Sequence, residues 1–261
     1  MIGQEIYNFA QKLWPINRSI TGKGVRETLN LIKVHLPRLN IESVPSGTAV
    51  FDWIIPKEWS ANDAFIVTPS GEKICNFKSN NLHLLGYSIS FEGKISLNEL
   101  KEHLYTLPDQ PDAIPYITSY YKERWGFCLS QNQFNQLEDG EYYVKVDTKH
   151  FDGVLNYGEL IIPGKSSQEI FLSTYICHPS MANNELSGPT VVTYLAKWLL
   201  ELGQLGYTYR IVFIPETIGS ITYISLHYDY MKQNIFSGFN VCCVGDDRAY
   251  SYLPSRSGNT L

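Results

Sequence analysis

Apolar positions along this chain change period from region to region, and the changes outline its elements. Over residues 4–14, Ile6, Phe9, Ala10 and Leu13 recur at helical spacing, which predicts a helix stopped by Pro15. The polar turn Asn17–Gly22 leads to a second helix, with Val25, Leu29, Ile32 and Leu36 on one face until Pro37. Neither is long enough to fold alone. From about Val44 to Gln136 the runs shorten and fill with Val, Ile, Phe and Tyr, punctuated by Ser46-Gly47, Pro69-Ser-Gly71 and Glu92-Gly93. This pattern predicts a compact β-rich module, with one short helix at Leu97–Leu104 capped by Ser96. Pro108, Pro111 and Pro115 mark a loop.

Strands are expected at Glu141–Asp147 and Val154–Pro163. Three longer apolar runs follow, Glu169–His178, Tyr207–Glu216 and Phe239–Asp246, alternating with two helical patterns. The first helix starts at Gly188-Pro189, turns Val192, Leu195, Trp198, Leu199 and Leu202 inward, and ends at Gly203. The second runs from about Ser220 to Gln233. Strand, helix, strand, helix, strand implies a parallel sheet with helical crossovers. The expected fold class is therefore α/β, a mainly parallel sheet flanked by helices. Residues 1–43 and 137–261 would form that domain, interrupted by a β-rich insertion over 44–136. Three parallel strands make a thin sheet, and Ser255–Leu261 reads as neither helix nor strand. The reading is a domain lacking its C-terminal part, whose exposed apolar sheet surface would favour self-association into a homo-oligomer.

Composition narrows the class. Of 261 residues, 44% are apolar and 18% charged, a globular balance. A net charge of −5 argues against a sequence-independent grip on nucleic acid. The N-terminal residues resemble neither a signal peptide nor a membrane anchor. Five cysteines without a CxxC pair point to a reducing, cytoplasmic setting, with Cys242 and Cys243 expected as small hydrophobes inside an apolar strand.

The candidate chemistry lies where the three runs stop. Each ends on a residue able to bind metal, His178, Glu216 or Asp246, and ligands of open α/β sheets bind beyond the carboxyl ends of strands. A neutral imidazole at His178 is a good zinc ligand, with a hydrogen-bonded strand-end histidine as the equal competitor. Asn183, Asn184 and Glu185 precede a helix, where capping is the ordinary account of any one of them. Three in a row facing His178 favour a site. Glu216 suits a ligand or a general base, against a capping role. Asp246 precedes Arg248, so a surface ion pair competes there.

At Ser173-Thr-Tyr-Ile-Cys-His-Pro-Ser-Met-Ala-Asn-Asn-Glu-Leu-Ser-Gly-Pro189 the chain resembles a bacterial aminopeptidase-like family. In that family the catalytic domain carries an inserted, aminopeptidase-associated β-rich domain. Arg18–Leu29, Val50–Trp59, Pro215–Ser220 and Gly245–Ser251 extend the likeness over the whole chain. The family groups with co-catalytic zinc aminopeptidases of phosphorylase/hydrolase-like fold. The resemblance implies one or two zinc ions, with His178 as first ligand and Asp246 as a later carboxylate ligand. It puts a bridging Asp at the position of Asn184, so Glu185 substitutes for it or a single metal binds. Where the group has a Glu-Glu pair this chain has Glu216-Thr217, and Ser180 replaces an Asp. The group's last His ligand has no match after Asp246.

The resulting expectation is a zinc-dependent aminopeptidase-like hydrolase. It would act on a small peptide or aminoacyl amide, with Glu216 catalytic and the inserted module limiting substrate size. The rival, supported by the departures at Asn184, Ser180 and Thr217, is a non-catalytic homologue with a degraded metal site serving binding or assembly; the resemblance also implies a link with surface-polysaccharide biosynthesis, so the substrate need not be a peptide. A serine hydrolase is disfavoured because no G-x-S-x-G elbow occurs.

Overall fold

A computed structural model describes residues 1–249 and 251–258. The end of the Ser255–Leu261 segment thus lies outside the described residues. The chain divides into two compact units, one of residues 1–58 and 152–261, the other of residues 59–151.

The first unit begins with helices α1 (Ile2–Leu13) and α2 (Lys23–His35), then strand β1 (Asn40–Pro45). After residue 152 come β2 (Val154–Ile162), β3 (Gly164–Tyr175), α3 (Ser187–Glu201), β4 (Leu205–Ile214), α4 (Ile218–Asn234) and β5 (Ile235–Asn240). They build a five-stranded sheet in the order β1-β2-β4-β3-β5. β3 runs parallel to β4 and β5, as expected, whereas β1–β2 and β2–β4 pair antiparallel. The sheet is therefore mixed. The correction has a simple origin: only 163 separates β2 from β3, too little for a parallel crossover.

Alternation along β4 assigns two unlike faces. Ile211 and Phe213 join Leu160, Ile162 and Leu172 in a core against Phe9 and Leu13 of α1, Val25, Leu29 and Ile32 of α2, and Val192, Ala196 and Leu199 of α3. Each fully buried side chain of this size contributes about 1.5–3 kcal/mol, so these three helices are held by packing. Trp198 and Leu202 are half exposed, not inward as their spacing suggested. The apolar stripe of α3 is narrower than its composition.

The opposite face carries Arg210, whose Nε and Nη2 donate to Glu169 Oε2 and Oε1 at 2.6 and 3.0 Å. Its Nη1 donates to Glu159 at 2.6 Å. The Tyr223 hydroxyl on α4 donates to Glu159, and that of Tyr230 donates to Glu169 at 2.6 Å. α4 is thus fixed to the sheet largely by a charge-assisted network.

Two glycines permit close approach. A Cβ on Gly24 would lie 2.0 Å from the Asn17 carbonyl oxygen, so glycine lets the Asn17–Arg18 peptide rest on the first turn of α2. A Cβ on Gly188 would meet Thr174 Oγ1 at 2.4 Å and the Val241 oxygen at 2.5 Å, where α3 starts against the strand ends.

The second unit centres on a four-stranded sheet ordered Lys73–Ile74, Glu58–Val67, Glu141–Phe151, Phe91–Ser96. Ser96 caps the short helix Leu97–Lys101 through a reciprocal bond with Glu99. Trp125 stacks between His103 and Phe91, with ring centroids 3.6 and 4.3 Å away. No helix among the described residues is long and apolar enough to cross a membrane.

Gly24→Ala is expected to cost about 1–3 kcal/mol or more through overpacking against backbone, read as a lower urea midpoint; an unchanged midpoint would contradict the close approach. Burial pushes the Cys75 and Cys128 thiols up to about 12, so both stay protonated near about pH 8 and resist alkylation. Exposed Cys243 should be modified first, as peptide mass mapping after iodoacetamide treatment would register.

Candidate metal centre

The parallel strands deliver two predicted side chains to one place. β3 runs on through Ile176, whose amide still bonds the Ile214 carbonyl at 3.0 Å, and His178 follows. β4 ends at Ile214, Pro215 and Glu216 follow, and α4 begins just beyond. The His178 Nε2 lies 3.3 Å from Glu216 Oε2. Thr217 then takes φ +57°, a left-handed conformation rare for a β-branched residue, as the chain turns sharply into α4.

The other edge of the imidazole is held from behind. Glu185 lies in a single π-helical turn, Ala182–Leu186, immediately before α3. Its side chain is fully buried, and Oε2 meets His178 Nδ1 at 2.8 Å. Oε1 lies 3.3 Å from Arg18 Nε, and neither side chain of that pair is exposed. Arg18 also donates from Nε to the His178 carbonyl at 2.9 Å and from Nη1 to the Leu13 carbonyl at 2.8 Å. One guanidinium therefore fixes the backbone of His178, the end of α1 and the carboxylate that orients the ring.

Burial raises the pKa of the Glu185 carboxyl, while the His178 hydrogen bond and the Arg18 charge pull it back. Burial likewise lowers Arg18, opposed by Glu185. At 3.3 Å with an effective dielectric near 20, the attraction is about 5 kcal/mol, comparable to the desolvation of the two ions. The pair is thus better understood as fixing geometry than as adding net stability. Cys177 Sγ, fully buried, accepts the Glu216 amide at 3.1 Å, and burial pushes its thiol well up.

Cys177, His178 and Glu185 bring donor atoms within 4.8 Å of one another. That side does not suit a cation, because Glu185 already faces Arg18 and Nδ1 is bonded to Glu185. The Nε2 side suits one better. It offers an imidazole nitrogen and the Glu216 carboxylate, two donors of the kinds zinc accepts. The Asn184 Oδ1 is buried without a hydrogen-bond partner, as is the Glu185 Oε1 that faces Arg18.

The remaining candidates are placed differently. Asp246 is held by Arg248, with Nε to Oδ1 at 3.0 Å and Nη2 to Oδ2 at 2.5 Å, and this arginine lowers its pKa. Ser180 donates to the Trp14 carbonyl at 2.7 Å. Asn183 accepts the Gly245 amide at 2.8 Å, tying the loop after β5 to the π-turn. Arg18 was not singled out as a site residue from sequence; its only signal was its place at the head of the Arg18–Leu29 stretch of resemblance.

Comparison with known proteins finds relatives over nearly the whole chain. A Clostridium acetobutylicum protein is 49% identical over 257 residues, spanning 98% of this chain, and its name couples polysaccharide biosynthesis with an aminopeptidase-like domain. A crystal structure from the same organism, described provisionally as a peptidase, superposes with a TM-score of 0.90 at 51% identity, covering 94% of this chain and 57% of that one. The zinc aminopeptidase of Bacillus subtilis shares the fold, with a TM-score of 0.61 at 11% identity over 93% of this chain and 69% of that one. The chain spans 58% of the length of its curated relative. A family described as a domain of unknown function, DUF4910, matches residues 7–261, and the chain belongs to that family.

Proposed function

We propose that this chain is the metal-binding part of a zinc-dependent, aminopeptidase-like hydrolase that cleaves a small peptide or aminoacyl-type amide. The observation that carries the reading is His178 itself. It stands at the carboxyl end of a parallel strand, with Nδ1 on a buried carboxylate and Nε2 towards Glu216. A histidine whose far nitrogen is fixed by a carboxylate is the usual arrangement of a metal-ligating imidazole.

In this reading His178 Nε2 would be the first ligand of the ion, with Asn184 Oδ1 close in sequence and Glu216 beside it as the base. Zinc there would supply Lewis acidity towards a carbonyl and towards water. Glu185 and Arg18 keep the ring's orientation, and Glu216, with its carboxylate half exposed, takes up the proton of the attacking water and returns it to the leaving amine. Asn184 is neutral where the resemblance puts a bridging carboxylate, so one ion is the proposed complement.

The ion pair of Asp246 with Arg248 favours a second reading, a non-catalytic homologue whose metal site has decayed. The relative's name would connect that reading with polysaccharide biosynthesis.

Elemental analysis of protein purified without chelator separates the two. About one zinc per chain, lost in His178→Ala, is the expected result, and absence of metal after zinc addition would sink the catalytic reading. Glu185→Gln should weaken zinc affinity by about 10–100-fold, as expected for a residue that orients a ligand, measured by competition with a chromophoric chelator. Glu185→Ala should also cost about 3–5 kcal/mol of stability, because it leaves Arg18 buried and uncompensated, read from urea unfolding.

A further inference from the structure

The inserted unit, residues 59–151, contains a depression lined wholly by its own residues. It holds about 290 Å³ and lies between two stretches, the hairpin turn over 68–75 and the segment over 129–142. We propose that this depression is a carbohydrate subsite that seats one neutral sugar ring. Neither His178 nor a metal takes part, so the subsite stands apart from the hydrolase reading.

Both stretches are held in place. Strand Glu58–Val67 pairs antiparallel with Lys73–Ile74, and in the turn between them Thr68 Oγ1 accepts the Glu72 amide at 3.0 Å. The helix Gln131–Asn135 is fixed by a reciprocal cap between Ser130 and Gln133. The stretches meet at Gly140, where a Cβ would lie 2.5 Å from Pro69 Cγ, so glycine lets the second close against the first. The Tyr142 hydroxyl donates to the Glu138 carbonyl at 2.6 Å, which ties the rim to the bottom.

Bottom and rim differ in kind. Cys75, Leu129 and Tyr142 lie buried beneath, and burial keeps the Cys75 thiol uncharged by pushing it up to about 12. The rim carries the Thr68 and Ser70 hydroxyls, the Gln136 amide, and the Glu72 and Glu138 carboxylates. Among the described residues, the last three side chains spend no hydrogen bond or ion pair on the protein. No lysine, arginine or histidine lines the depression, so the two carboxylates turn an anionic ligand away. An apolar ligand would desolvate the rim without replacing its hydrogen bonds. A small cation would pair with the carboxylates yet leave the apolar bottom bare. A pyranose satisfies both parts. One face presents C–H groups to the bottom, while its hydroxyls donate to the carboxylates and accept from the amide and hydroxyl groups. A volume near 290 Å³ is at the small end of ligand pockets and suits one ring rather than a chain.

The test titrates the full chain with the methyl glycosides of glucose, galactose, mannose and N-acetylglucosamine and follows backbone amides by NMR. At least one glycoside should bind saturably and move the amides of Gly71, Gly140 and residues 133–138. Chelator should leave that binding unchanged. Glu138→Ala and Gln136→Ala, both at exposed positions, should each weaken it about tenfold. Asn135→Ala, on the same helix but outside the lining, should not. Failure of all four glycosides to bind would overturn the subsite, as would shifts that map outside the two stretches. Methylammonium moving the same amides where no glycoside does would make the depression a cation site and overturn it too. Absence of zinc from the protein, which sinks the hydrolase reading, leaves these outcomes untouched.

Discussion

A guanidinium with 1% of its surface exposed persists only where its donors find acceptors, and Arg18 finds them in the loop that carries His178. It bonds the His178 and Leu13 carbonyls and faces the Glu185 carboxylate, so α1, the end of β3 and the π-turn before α3 meet on one side chain. Because Glu185 in turn bonds His178 Nδ1, the direction in which Nε2 points is set several contacts away from any substrate. Gly24 belongs to the same constraint, since only a missing Cβ lets the Asn17–Arg18 peptide lie against α2.

The mixed sheet serves this arrangement by keeping its parallel part together. β3, β4 and β5 are neighbours, so their carboxyl ends, with His178, Glu216 and the Cys242-Cys243 pair beyond them, come to a common edge. The antiparallel strands β1 and β2 widen the sheet without contributing to that edge. Below it the two faces are held by different forces. The helices α1, α2 and α3 are packed by apolar burial. α4, which follows directly from Glu216, is anchored through Arg210, Glu159, Glu169 and two tyrosine hydroxyls. A geometry-sensitive carboxylate thus precedes a helix tied by directional bonds, which fix position more narrowly than apolar contact.

Much of this was legible in the residues because it depends on local periodicity. Phe9, Leu13, Val25, Leu29 and Ile32 are core residues at the spacing their helices predicted, and Ser96 caps its helix as its residue type suggested. The errors are instructive for the same reason. Trp198 and Leu202 fit the apolar stripe of α3, yet half of each faces outward, because periodicity reports which face is apolar and not how much of it finds a neighbour. Cys242 and Cys243 extend an apolar run, but the strand stops at Asn240 because pairing, a tertiary event, ends there. Glu185 read as a ligand candidate by position. Its carboxylate does meet His178, at Nδ1, and also faces Arg18, a contact with a residue 167 positions earlier in the chain that no local pattern reports.

The sequence by itself determined the class of fold, the helices that build its core, and the placing of His178 and Glu216 at strand ends, since each follows from the period of apolar residues and the residue at which a run stops. Tertiary structure alone decided which nitrogen of His178 is tied back and that Arg18 holds the loop. Those outcomes depend on contacts between distant segments and on burial, where every polar atom must find a partner or remain a candidate for one.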